Sequence, residues 1–198
     1  FLVTAEAYHI PTIIVFNKID LLNFEEVEIV EELQEMYGKL GYQTLQVSSK
    51  QQMNLDQLQD ILKDKTCVFF GHSGAGKSTL ANALQPNLDL KTNEISDVHN
   101  KGKHTTTFAQ MHFWGFGGAV IDTPGVREFA MIDVEKEEIQ HYFPEIFQKG
   151  RDCKFHNCKH INEPKCAVLE AIETGEILES RYITYLKLME EADEQNQM

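Results

Sequence analysis

Apolar residues fall along this chain as short runs alternating with longer periodic stretches. Thr12–Phe16 (TIIVF) is a β-branched run with the composition of a buried parallel strand. Glu25–Leu40 carries Val27, Val30, Leu33, Met36, Tyr37 and Leu40 at helical spacing, and Gly38 and Gly41 mark its end. Thr44–Val47 reads as a second strand, Leu55, Leu58, Ile61 and Leu62 mark a helix, and Thr66–Phe70 is a third strand. The glycine-rich turn Gly71–Ser78 leads into a helix that runs to about Leu84. Gln85–Thr106 is polar and aperiodic, as in a long mobile loop, and Phe108–Trp114 and Ala119–Ile121 flank glycines as in a hairpin. Phe1–His9 is helix-like, and from Glu135 the pattern becomes helix, cysteine-rich loop, then helix, with a fraying tail over Asp193–Met198. This alternation predicts an α/β fold: a mostly parallel sheet with helices on both faces, followed by a small helical module.

Gly71-His72-Ser73-Gly74-Ala75-Gly76-Lys77-Ser78 fits G-x-x-x-x-G-K-[ST] at every fixed position, after an apolar strand and before a helix. Glycines let the backbone wrap around phosphate with its amides pointing inward, and the helix presents its positive end to the anion. Lys77 is expected to reach the β- and γ-phosphates, with Ser78 on Mg²⁺ and Thr79 in the same helix turn.

Asn17-Lys18-Ile19-Asp20 follows the first strand as N-K-x-D does in GTPases. A carboxylate at Asp20 pairs with the N1 and N2 donors of guanine, whereas adenine presents an acceptor at N1 and would leave it unpaired. Asn17 is expected to reach the N7 side of the base and brace neighbouring loops, with the Lys18 stem across the ring. Ser48-Ser49-Lys50 closes the next strand as S-A-K does in GTPases, with a backbone amide for guanine O6. These loops point to GTP and GDP as ligands.

Asp122-Thr123-Pro124-Gly125 resembles the D-x-x-G element, in which Asp122 would hold Mg²⁺ through water and the Gly125 amide would sense the γ-phosphate. Between it and the phosphate loop lie His104, Thr105, Thr106 and Thr107, and one threonine there completes Mg²⁺ coordination. Thr106 is the choice, with Thr105 and Thr107 left open by spacing. Val126 stands where many GTPases carry a water-orienting glutamine, so the attacking water needs another partner, and His104 is the candidate.

Bulk properties narrow the setting. The 198 residues are 42% hydrophobic, enough for one core and a small second module, and no run approaches the ~20 apolar residues of a membrane helix. With no secretory start in the sequence, the expectation is a cytoplasmic protein away from membranes. The net charge of −13 argues against a general nucleic-acid platform and against DNA as a partner. Lys149, Arg151, Lys154 and Lys159 nevertheless form a local basic patch around the cysteines. Cys153-x4-Cys158-x-His160-x5-Cys166 supplies three thiolates and an imidazole, the set of a closed structural Zn²⁺ site, with His156 as an alternative nitrogen. Cys67 reads as a buried strand residue.

The order of motifs is N-K-I-D, S-S-K, phosphate loop, threonine switch, then D-T-P-G, a circular permutation of the usual GTPase order. A parallel sheet tolerates this because ligand loops stay at the strand C-terminal ends whatever the connectivity. With G-K-H-T-T-T, D-T-P-G-V-R-E-F and the C-x4-C-x-H-x5-C knuckle, the chain resembles the RsgA (YjeQ) family of circularly permuted, ribosome small-subunit-dependent GTPases. The resemblance implies a GTPase domain over residues 1–134 and a helical zinc-binding domain over 135–198. It also implies a monomer that acts in late maturation of the small (30S) ribosomal subunit, docks on rRNA with GTP and leaves on hydrolysis.

Members of that family carry an N-terminal OB-fold RNA-binding domain. The expectation is therefore of a truncated piece, without that domain or the strand preceding Phe1, and with impaired nucleotide and ribosome binding. Two other classes compete: an ATP-dependent P-loop enzyme, against which Asp20 and the base loops speak, and a zinc-stabilised interaction module with an inert nucleotide fold, against which Lys77, Ser78 and Asp122 speak. The His104 reading has a direct check: His104→Ala should slow GTP hydrolysis by about 10²-fold or more while GTP affinity holds, and an unchanged rate would remove the role.

Overall fold

The computed structural model describes residues 1–88, 110–122 and 135–195. The chain divides into two compact units, Thr12–Glu128 and a second formed by Phe1–Pro11 with Phe129–Met198.

The first unit is α/β. Strand β1 (Ile13–Phe16) pairs in parallel with β2 (Gln43–Gln46), joined by α2 (Phe24–Lys39), which packs on β2. Helix α2 starts where it does because Asn23 and Glu26 form a reciprocal cap: the Glu26 amide donates to Asn23 Oδ1 at 3.0 Å and the Asn23 amide to Glu26 Oε2 at 2.9 Å. Helix α3 (Leu55–Leu62) buries Leu55, Leu58 and Leu62 on one face and leads into β3 (Lys65–Val68). Helix α4 (Lys77–Leu84) follows, then the hairpin strands β4 (Gln110–Phe113) and β5 (Gly118–Asp122). Strand β5 lies at the centre of a three-stranded sheet, parallel to β3 and antiparallel to β4. One core joins these parts: Val47, Leu58, Leu80, Leu84, Trp114 and Val120 are among its buried residues.

The described strands form two sheets, of two and three strands, with the parallel pairings of the expected α/β fold. Strand β1, composed like a buried strand, is half-buried along its length, because β2 is its one strand neighbour among the described residues. Cys67 on β3 is likewise half-buried.

The second unit is helical. A 3-10 helix (Lys136–Tyr142) precedes α5 (Pro144–Gly150), α6 (Ala167–Glu173) and α7 (Glu179–Gln195), which pack around Phe143, Ile146, Val168 and Tyr185. Helix α1 (Leu2–Ala7) belongs to this unit: Val3 packs against its core and the helix contacts the 3-10 helix. The sequence alone groups these first residues with the nucleotide fold, whereas the contacts group them with the helical unit. Glu145 and Arg181 form a buried bidentate ion pair, with the guanidinium 5.0 Å from the centre of the Phe143 ring. No helix among the described residues is long and apolar enough to cross a membrane.

The hairpin yields a stability test. Gly118 has φ +85°, and a Cβ there would lie 2.2 Å from the Lys65 carbonyl oxygen, whereas Gly41 (φ +92°) has nothing within 4 Å. Gly118→Ala should therefore cost about 3 kcal/mol or more, by forcing β3 and β5 apart, and Gly41→Ala only about 1–2 kcal/mol of backbone strain. Urea unfolding of both variants checks the difference.

Candidate functional site

The nucleotide-type site is built at the C-terminal ends of β1, β2 and β3. After β3 the chain turns through Gly71, Gly74 and Gly76, all at positive φ, with Gly76 left-handed at +89° as the residue before α4. No side chain fits there. A Cβ on Gly76 would meet Asn17 Nδ2 at 2.6 Å, so this glycine lets the phosphate loop and the N-K-I-D loop touch. His72, Ser73, Ala75 and Thr79 are exposed, while Lys77 and Ser78 open α4. The Lys77 ammonium donates to the carbonyls of Gly71 (2.7 Å) and His72 (3.0 Å), which holds the cation over the loop.

Asn17 is the centre of the arrangement. Its Oδ1 accepts from its neighbour's amide (Lys18 N, 2.9 Å), from Ser49 Oγ (2.9 Å) and from Ser49 N (3.3 Å). Its Nδ2 donates to the Ala75 carbonyl at 3.1 Å. One carboxamide thus ties N-K-I-D, S-S-K and the phosphate loop together. Lys18, left-handed at φ +68°, crosses the same gap and donates from Nζ to the Gly74 carbonyl at 2.5 Å. Asp20 is oriented by the buried Ser48, whose hydroxyl donates to its Oδ1 at 2.5 Å and accepts from the Gln51 amide at 3.0 Å. Lys50 is exposed in the turn that follows.

Strand β5 brings the backbone of Asp122 to its end beside β3. Gly125, His104, Thr105, Thr106 and Thr107 lie outside the described residues.

A second site sits in the helical unit. The donor atoms of Cys153, Cys158, His160 and Cys166 all lie within 4.8 Å of one another. Cys153 Sγ and Cys166 Sγ are 3.8 Å apart, and His160 Nδ1 is 3.6 and 3.4 Å from them. A tetrahedral cation with sulfur bonds of about 2.3 Å sets its sulfurs about 3.8 Å apart, so the donors fit such an ion. Burial pushes the Cys158 thiol up to about 12 and raises Cys166, while it lowers His160. The apolar surroundings therefore favour uncharged donors, and a divalent cation held there would have to displace the thiol protons. His156, the alternative nitrogen, is exposed and outside the cluster.

Sequence reasoning missed the groups around these donors. With Nδ1 facing the sulfurs, His160 Nε2 carries the ring proton and donates to Gln140 Oε1 at 3.3 Å. The ring lies against Gly150, where a Cβ would come within 3.1 Å of Nε2. Tyr182 and Tyr185 donate to the carbonyls of His160 (2.7 Å) and Lys159 (2.9 Å). Glu163 accepts from three backbone amides, and these bonds outweigh its partial burial to hold the carboxyl below its ordinary value. The acidic residue between His160 and Cys166 was visible in the sequence, but nothing there marked Gln140 or the tyrosines.

A glycine-lined loop between strand and helix, with base-type loops on two earlier strands, is the arrangement of a circularly permuted P-loop GTPase fold. Residues 1–132 match the RsgA GTPase family, and the chain belongs to that family. It is 51% identical over 96% of its length to the small ribosomal subunit biogenesis GTPase RsgA of Christiangramia forsetii, and 51% identical over 98% to that of Flavobacterium psychrophilum. It spans 60% of the length of each of these relatives. Among solved structures it is similar to YjeQ from Thermotoga maritima (TM-score 0.79, 42% identity, 97% of this chain and 63% of that one). It is also similar to YloQ, described as a circularly permuted GTPase (TM-score 0.74, 36% identity, 98% and 61%).

Removing a bound divalent cation from the helical unit should lower its thermal midpoint by roughly 10 °C or more, because two of the donors, Cys158 and Cys166, lie in its core. Near-UV circular dichroism with and without chelator follows Tyr182 and Tyr185, and an unchanged midpoint would remove metal from the fold.

Proposed function

We propose that this protein binds GTP, hydrolyses it to GDP and phosphate, and acts in late maturation of the small ribosomal subunit through contact with its rRNA. The observation that carries the reading is the Asn17 carboxamide, which registers the two base loops against the phosphate loop.

The Asp20 carboxylate, held by Ser48, receives the N1 and N2 donors of guanine, and the Ser49 amide faces O6. Lys18 lies along the base edge of the phosphate loop. Lys77 transfers its ammonium from the Gly71 and His72 carbonyls to the β- and γ-phosphates. Ser78, Thr106 and Asp122 would hold Mg²⁺, which neutralises charge on the phosphates. Gly125 contributes an amide to the γ-phosphate, and His104 positions the attacking water.

Cys153, Cys158, His160 and Cys166 would hold one structural Zn²⁺, given three sulfurs and a nitrogen at tetrahedral spacing. The domain assignment that fits is a GTPase domain to residue 134 and a zinc-binding domain from 135, with α1 packed on the latter. The exposed Arg151, Lys154 and Lys159 near the metal cluster suit an rRNA contact, which the acidic face of α7 does not.

Two measurements test the proposal. GTP hydrolysis by the intact parent protein should rise on addition of purified small subunits; tight GTP binding without stimulation would keep the nucleotide reading and remove the ribosome as activator. Asp20→Asn should weaken GTP binding about 10–100-fold and leave ATP weak. It should also favour xanthosine triphosphate, whose 2-carbonyl accepts from the new amide. Equal loss of GTP and ATP binding would point instead to an ATP-type enzyme or a misfolded loop.

A further inference from the structure

We infer that Glu163 is the positioning residue of the metal cluster: its carboxylate folds the loop from Lys159 to Cys166 so that His160 presents Nδ1 to the three sulfurs. The need for such a group lies in the backbone. His160 has φ +58° and Lys165 φ +61°, and neither is glycine. Each left-handed residue costs on the order of 1 kcal/mol, and the loop must be held there by other bonds.

Glu163 supplies those bonds from the inside of the turn. Its Oε1 accepts from the Lys159 amide at 2.7 Å, on one side of His160. Its Oε2 accepts from the Ile161 amide at 2.9 Å and the Asn162 amide at 3.0 Å, on the other side. The carboxylate therefore grips the chain before and after the histidine. The carbonyls of Lys159 and His160 are fixed from the outside by the hydroxyls of Tyr185 and Tyr182 on α7. With both flanking peptides pinned, the ring enters the cluster in one orientation, and Gln140 Oε1 accepts the hydrogen bond from its Nε2–H. Glu163 is not among the four grouped donors, so it acts through His160 and not as a ligand.

The inference rests on the metal reading of the cluster, and the test separates the two. Zn²⁺ affinity of the full chain is measured by competition with a chromogenic chelator, and Co²⁺ is substituted to read the site. The thiolate-to-cobalt charge-transfer band reports sulfur ligands, and the visible d–d bands report tetrahedral geometry. A parent protein with no charge-transfer band would sink the metal reading itself.

Given that band, Glu163→Gln keeps the shape but replaces one acceptor oxygen with an NH2 donor, so the Lys159 amide and the Ile161–Asn162 pair are no longer both accepted. Its Zn²⁺ affinity should fall about 10–100-fold, with d–d bands weakened and the sulfur band retained. Glu176→Gln, which alters a carboxylate of the same unit paired with Lys149, should match the parent. Glu163→Asp, with its oxygens withdrawn by one methylene, should also bind weakly, so whichever Glu163 variant folds gives the readout. A Glu163→Gln affinity within twofold of the parent with unchanged d–d bands would overturn the inference. So would full recovery by Glu163→Asp, since charge and not loop geometry would then be the active property.

Discussion

The side chain of Asn17 imposes the constraint on which the nucleotide-type site depends. Strands β1–β2 and β3–β5–β4 lie in separate sheets, so no strand ladder among the described residues sets the N-K-I-D and S-S-K loops against the phosphate loop. The carboxamide does so at the ligand end, accepting from Ser49 and donating to Ala75, and Lys18 adds a second bond to Gly74. Such bonds are worth only about 1 kcal/mol each in net stability. Their larger effect is geometric: a base reader and a phosphate cradle must keep one fixed separation to hold both ends of one nucleotide. Gly76 completes the constraint, because any side chain there would occupy the space Asn17 uses.

The two compact units are held by different physics. The α/β unit has an apolar core drawn from α3, α4 and three strands or their ends, and its local order comes from ladders and helix caps. The helical unit is small, and metal-type donors stand inside its core beside Phe143, Tyr185 and Val168. Its remaining order comes from polar groups that are fully engaged: the Glu145–Arg181 pair, the two tyrosine hydroxyls and the Glu163 carboxylate. A buried ion pair stabilises little by itself once desolvation is counted, but it fixes the orientation of α5 against α7.

Chain order links the two units covalently at both ends of the α/β unit. Residues before β1 form α1, which packs on the helical core, and residues after β5 run on into the 3-10 helix that carries Gln140. The N-K-I-D loop and the D-T-P-G segment are thus each one short stretch of chain from the unit that holds the metal-type cluster.

The sequence by itself determined the elements and the reactive groups. Periodicity located α2, α3 and each described strand to within a few residues, since a helix or strand that buries one face must repeat its apolar residues at 3.6 or 2. The glycines and Lys77, the N-K-I-D tetrapeptide and the cysteine spacing were readable because each depends on neighbours close in the chain. Tertiary structure alone decided what depends on distant neighbours. The burial of β1 turns on how many strands flank it, and the placement of Phe1–Pro11 turns on which core Val3 meets. The left-handed turn at His160 is gripped locally by Glu163, but Gln140, Tyr182 and Tyr185, which fix its ring and the flanking carbonyls, lie about twenty residues or more away in the chain. A local pattern can announce that a residue is a ligand, but packing from distant segments is needed to complete its aim.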